Sequence, residues 1–209
     1  MCCGLQVWQD GASGLTLQET RPISFHGTPA SYFNDTGCPG SYAPPPPPPL
    51  GATHHPQRSS ASSRMCGLGT PSQTIIRMAN DELLMGMYGR AADSAKCSSA
   101  KTPGRPCPSA AFYTSADGGL NWEFASRVDR TPAMNPGQGV NEASVVALPD
   151  GRVFLAFRLD GAIPLWSAFS SDHAKTWTQP APMKGAAGRI PYGVWPQLKL
   201  LSNGVLLGC

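Results

Sequence analysis

Apolar residues gather in three stretches of one form: "QTIIRMANDELLMGMYGR" (73–90), "ASVVALPDGRVFLAFR" (143–158) and "QLKLLSNGVLLGC" (197–209). Each is an apolar run, a short polar turn and a second apolar run, the pattern of a β-hairpin. In the middle copy, Leu148-Pro149-Asp150-Gly151 suits a type I turn. Proline is favoured at its second position, and Gly151 can take the left-handed conformation that completes a three-residue hairpin with a bulge. Asp81 and Gly204 fall in the equivalent slot. The runs are too continuously apolar for half-exposed strands, which predicts sheets covered on both faces. No capped, 3.6-periodic helix is found, so the expected class is all-β.

A second pattern overlies the first. "SADGGLNW" (115–122) and "SSDHAKTW" (170–177) both fit Ser-x-Asp-x-(Gly/Ala)-x-(Thr/Asn)-Trp and lie 55 residues apart, while the hairpin turns recur at steps of 70 and 53, from Asn80 to Asp150 to Asn203. Hairpins repeating at such spacing, the first two followed by the Ser-x-Asp box, describe four-stranded units stacked face to face, as in a β-propeller. The box then reads as the turn between a unit's third and fourth strands. Its serine and aspartate side chains bond nearby backbone N–H groups, and its tryptophan buries in the sheet core. That role is structural.

Composition divides the chain. Residues 34–73 contain 20 Gly, Pro or Ser in 40, including Pro44 to Pro49, and such a segment buries too little apolar surface to offset its ordering entropy. Residues 1–68 are therefore expected to be a disordered leader and residues 69–209 the folded part. Charged residues are 14% and the formal net charge is +3, with no basic run carrying interleaved aromatics, which argues against nucleic acid as a partner. No stretch is long and apolar enough to span a membrane, and the first residues carry no secretory signal, so a soluble, non-exported chain is expected, cytoplasmic by default. The seven cysteines show no CxxC pair or partner histidines, so neither a metal site nor a cofactor is expected. Cys97 and Cys107 share one loop, but the odd total and the missing signal favour free thiols.

The boxes "SADGGLNW" and "SSDHAKTW" resemble the Asp boxes of sialidases, and "NEASVVALPDGRVFLAFR" is similar to the sialidase segment in which Asn-Glu precedes a strand, an Asp-Gly-Arg turn and a returning strand ending in arginine. "GVWPQLKLLSNGVLL" looks like the next blade of the same family. The resemblance covers residues 69–209 and implies about two and a half blades of a six-bladed sialidase-like propeller. The implied activity is removal of terminal sialic-acid-type sugars from a glycoconjugate, with retention. A carboxylate nucleophile would be repelled by the substrate carboxylate, so the family uses tyrosine, with a glutamate as its base and arginines as the clamp. By resemblance Glu142 is that base and Arg158 one clamp arginine.

Hairpin register supports the pairing separately. In a three-residue loop centred on Asp150, Glu142 lies opposite Arg158 on one face, at the open end of the hairpin. The plainer alternative is a structural ion pair at a strand end. Arg90 is offered as a further clamp, Asp93 as an acid, and Tyr192 with Trp195 as an aromatic wall for a sugar, against plain polar loops and blade packing. The Arg-Ile-Pro motif that opens a sialidase propeller has no match, since "LGTPS" lacks arginine before Pro71. A ring of about six blades needs more than is present, so the chain is expected to be truncated at Cys209 and inactive alone. A non-catalytic Asp-box propeller serving as a glycan-binding or assembly module is the alternative function.

Overall fold

The computed structural model describes residues 4–11, 14–22, 24–27, 68–71, 75–91, 93–98, 104, 106–134, 139–159, 162–184, 191, 193 and 195–208. Among these, every regular element is a strand: β1 (Gly4–Gly11), β2 (Gly14–Pro22), β3 (Ser24–His26), β4 (Leu68–Pro71), β5 (Ile76–Arg77), β6 (Leu83–Arg90), β7 (Pro108–Ser115), β8 (Asn121–Val128), β9 (Val140–Ala147), β10 (Val153–Leu159), β11 (Ala162–Ser170), β12 (Ala181–Pro182), β13 (Leu198–Leu200) and β14 (Leu206–Gly208). The all-β class holds.

The three predicted hairpins form on one template. At each turn the residue before it donates its N–H to the carbonyl four residues on: Met78 to Glu82, Leu148 to Arg152, Leu201 to Val205. A second bond returns from the left-handed residue, Asp81, Gly151 or Gly204, whose φ values are 67°, 85° and 83°. One residue earlier, Asn80, Asp150 and Asn203 accept the N–H two positions on through their side chains. Three unlike sequences thus reach one geometry because each supplies a short acceptor followed by a residue that tolerates positive φ.

Strands β9 to β12 form a sequential four-stranded antiparallel sheet, and β4, β6, β7 and β8 form another, with β5 also paired to β6 and β3 added parallel along β8. The hairpin β13–β14 stands as a third layer. Alternation along β9 and β10 sends Val145, Leu155 and Phe157 into a core shared with Leu84 and Phe112 of the neighbouring sheet. The opposite face buries Val146, Phe154 and Ala156 against Leu198 and Leu200 of β13. Both faces are covered, which explains the continuous apolar runs.

Two expectations change. Part of the expected disordered leader, residues 4–11, 14–22 and 24–26, is strand, and Phe25 of β3 meets Tyr113 edge-on with ring centroids 5.3 Å apart. A short strand that caps the open edge of β8 needs no core of its own, so composition averaged over the leader misses it. The low-complexity part, including Pro44 to Pro49, lies outside the described residues. The second change concerns thiols: Cys97 and Cys107 are joined in a disulfide, both buried, closing the loop between β6 and β7.

Candidate functional site

The strand directions sort the molecule into two ends. Ser115 and Ser170, where the two boxes begin, close β7 and β11 on the side of the hairpin turns; there a Cβ added to Gly151 of one turn would lie 3.7 Å from the Cβ of Ala79 at another. The opposite end carries the start of β9, the end of β10 and the start of β7. There Gly139 packs so tightly on Pro108 that an added Cβ would fall 2.5 Å from it, which fixes where β9 begins.

Glu142 sits three residues into that strand. The predicted register holds from Ala147↔Val153 to Ser144↔Ala156, then slips by one, so Arg158 stands opposite Asn141. Glu142 is the residue absorbed by the bulge, with φ of 43°. A bulge re-aims a side chain and is a frequent companion of functional sites. Its effect is to deliver the carboxylate to Arg158 although the backbones no longer face each other: Nε to Oε2 and Nη2 to Oε1 are both 2.6 Å. The Trp195 N–H adds a third donor to Oε2 at 2.8 Å. Burial pushes the Glu142 carboxyl up, but the bonds from Arg158 and Trp195 and the arginine charge outweigh it, holding it below the usual carboxylate range.

Trp195 therefore reaches the site through its backbone, while its side chain stays 40% exposed and meets Tyr88 edge-on with centroids 6.1 Å apart. The turns explain the grouping. Counting from the left-handed turn residue, Trp195 occupies in its hairpin the position Glu142 has in the middle one, and both have positive φ, 53° and 43°. Tyr88 occupies the position of Arg158. Neighbouring layers thus present equivalent slots side by side. Sequence reasoning passed over Tyr88, although the 70-residue step from turn to turn points to it.

The other suggested residues are engaged elsewhere. Arg90 donates Nη1 to the carbonyl of Pro106, bracing the disulfide-closed loop. Asp93 accepts from Nη1 of Arg127 at 2.8 Å, on β8. Tyr192 lies outside the described residues. No cluster of three or more His, Cys, Asp or Glu side chains able to hold a metal occurs among the described residues.

The boxes have the structural role expected of them. In each, the serine hydroxyl donates to the aspartate at 2.8 Å and accepts the N–H of Gly119 or Ala174 at 2.9 Å. The aspartates accept from Asn121 and Thr176, and these bonds hold both carboxyls at about 2. Trp122 donates its indole N–H to Gly119 within its own box, whereas Trp177 reaches Ser126 of the neighbouring sheet at 3.0 Å.

No protein-family model matches the chain, and no curated protein matches it. Among solved structures, a crystal structure of a protein of unknown function from Dyadobacter fermentans DSM 18053 is similar at 21% identity, with a TM-score of 0.46. The match covers 64% of this chain and 32% of that one, so the chain spans about a third of that protein's length.

Proposed function

We propose that this chain carries part of a sialidase-like β-propeller, six-bladed when whole, that acts as a glycoside hydrolase on terminal sialic-acid-type sugars. The observation that carries the reading is the Asn141-Glu142 bulge, which joins Glu142 to the Arg158 fork at the end of the sheets opposite the Asp boxes. A guanidinium presented there suits a sugar carboxylate, because its planar fork matches two oxygens at once. Trp195, with Tyr88 beside it, offers an aromatic surface for the sugar's apolar face. Glu142 would act on an attacking tyrosine by exchanging its bond from the Trp195 N–H for one from the phenol.

A second reading draws on the same carboxylate. Glu142 already accepts from three donors and is held below the usual range, a state that suits a fixed ion pair better than a base. That favours a non-catalytic glycan-binding or assembly module, in which Glu142 aims Arg158.

Two measurements separate these. Binding of an unsaturated sialic-acid analogue and its methyl ester is followed by NMR on the 209-residue chain. A clamp role expects the acid to bind about tenfold more tightly than the ester, with that advantage reduced by Arg158→Lys. Equal binding of acid and ester, or none, overturns both readings. Release of the aglycone from an aryl sialoside is then followed in a chain extended to a closed ring. Turnover that Glu142→Gln abolishes while sparing binding supports the hydrolase, and binding without turnover supports the module.

A further inference from the structure

Cys97 and Cys107 stand ten residues apart in the loop from β6 to β7, and their buried disulfide is the covalent closure of that loop. What it closes leads to Glu142. Around the disulfide the chain doubles back on a few bonds: the Cys107 N–H donates to the Ala95 carbonyl at 2.7 Å, the Gly104 N–H to the Cys97 carbonyl at 3.0 Å, and Arg90 to the Pro106 carbonyl. The next residue, Pro108, opens β7 opposite Arg90. Being proline it has no N–H to give the ladder, so its place depends on Cys107 before it and Ser109 after it. Pro108 is in turn the surface on which Gly139 rests, where an added Cβ would lie 2.5 Å from its Cδ and its carbonyl oxygen. A contact that close has no slack and passes a displacement on. Three residues further, Glu142 must meet two Arg158 nitrogens at 2.6 Å and the Trp195 N–H at 2.8 Å. From sulfur to carboxylate the path is one peptide bond, one packed contact and a short length of strand.

We propose that the disulfide between Cys97 and Cys107 is a redox switch on the Glu142 and Arg158 site, operated by a dithiol reductant. One thiolate of the dithiol attacks one sulfur and breaks the S–S bond, and its second thiol then displaces the mixed disulfide. The cystine takes up two electrons and two protons and becomes the two thiols Cys97 and Cys107, while the dithiol becomes a disulfide. Both half-cystines are buried, so attack waits on opening of the loop. Once the bond is broken, the loop keeps only its hydrogen bonds, Pro108 gains freedom, and Gly139 no longer starts β9 at a fixed point. The oxidised chain holds Glu142 on Arg158, and the reduced chain loosens it. That the switch controls binding of a sugar carboxylate rests on the function proposed above; that the ion pair follows the disulfide does not.

The test uses the full chain, labelled with nitrogen-15, before and after treatment with dithiothreitol, with cleavage of this bond confirmed by thiol alkylation and mass spectrometry. The Arg158 Nε–H signal, held by Glu142, should shift or broaden on reduction and return on reoxidation. The Trp122 indole N–H, bonded within its own Asp box, should stay in place. A chain carrying Cys97→Ala and Cys107→Ala should show the reduced Arg158 signal from the start and ignore dithiothreitol, which separates this bond from the other five cysteines. The advantage of the sialic-acid analogue over its methyl ester should fall several-fold on reduction. An Arg158 signal unmoved in a chain whose disulfide is shown to be cleaved overturns the proposal. So does loss of the Trp122 signal together with that of Arg158, which would make the disulfide a staple of the whole fold, or an alanine variant with the oxidised Arg158 signal. Equal binding of acid and ester by the oxidised chain would count against the sugar reading alone, and the Arg158 signal would still decide the switch.

Discussion

Glu142 and Arg158 bury 8% and 17% exposed side chains against each other, so neither charge is well screened by water. Breaking such a pair leaves one uncompensated ion, and Arg158→Ala should cost about 3–5 kcal/mol in chemical denaturation, well beyond a surface ion pair. A loss under about 1 kcal/mol would mean the pair is effectively solvated. The carboxyl is depressed in the folded state, so its contribution is present above its unfolded value and is lost as pH falls through the lower folded value. Sequence register placed these two residues together but not the bulge. A non-glycine residue at positive φ announces itself by no residue type, and here Glu142 takes that conformation with its N–H bonded to the Asn141 side chain at 3.0 Å. Gly139 is the residue on which the placement rests. Gly139→Ala should push β9 away from Pro108 and cost about 2 kcal/mol or more, measured by the same denaturation.

At the scale of elements, the hairpins and boxes were legible because each is a local contract between neighbouring residues. The three turns differ most at the left-handed slot, which is glycine twice and aspartate once. Asp81→Gly should therefore stabilise by about 1 kcal/mol, read as a raised melting temperature; Arg77 bonds only the backbone carbonyl there, which glycine keeps. For the boxes, carboxyls held at about 2 against an ordinary 3.8 give stability that is complete above pH 3.8 and lost as pH falls through 2. Asp117→Asn and Asp172→Asn should each flatten the fall of melting temperature across that window. An unchanged acid limb in both variants would show that the boxes do not couple to folding. The strands β1 to β3 were less legible, because the proline-rich run after them dominates any window that includes both. The disulfide was hidden for a different reason: Cys97 and Cys107 carry no spacing motif, and only the pairing of β6 with β7 brings their loop ends together.

For the whole molecule, the layers differ in how fully each is covered. The β9–β12 sheet lies between two others, but β14 of the third layer is exposed along its length, with Leu206 and Leu207 at 37% and 51% exposure and Val205 just before it at 48%. In the two hairpins built like it, the second strand takes a third beside it: β6 pairs with β7 and β10 with β11. Strand β14 pairs with β13 alone among the described residues, so none of them meets the N–H and C=O groups of its outer edge, which lie beside apolar side chains. An edge of that kind is a template for another chain. The 209-residue chain should self-associate with rising concentration in sedimentation velocity. Leu207→Lys should reduce the association, because Leu207 stands opposite Lys199 and a second cation there opposes the approach of a like edge. Val146→Ala, which thins the covered side of the β9–β12 sheet, should lower stability by about 1 kcal/mol or somewhat more without weakening association. If the wild-type chain sediments as one monomeric species at all concentrations, the edge is not a docking template. If Leu207→Lys and Val146→Ala reduce association alike, the association reflects general instability and not the β14 edge.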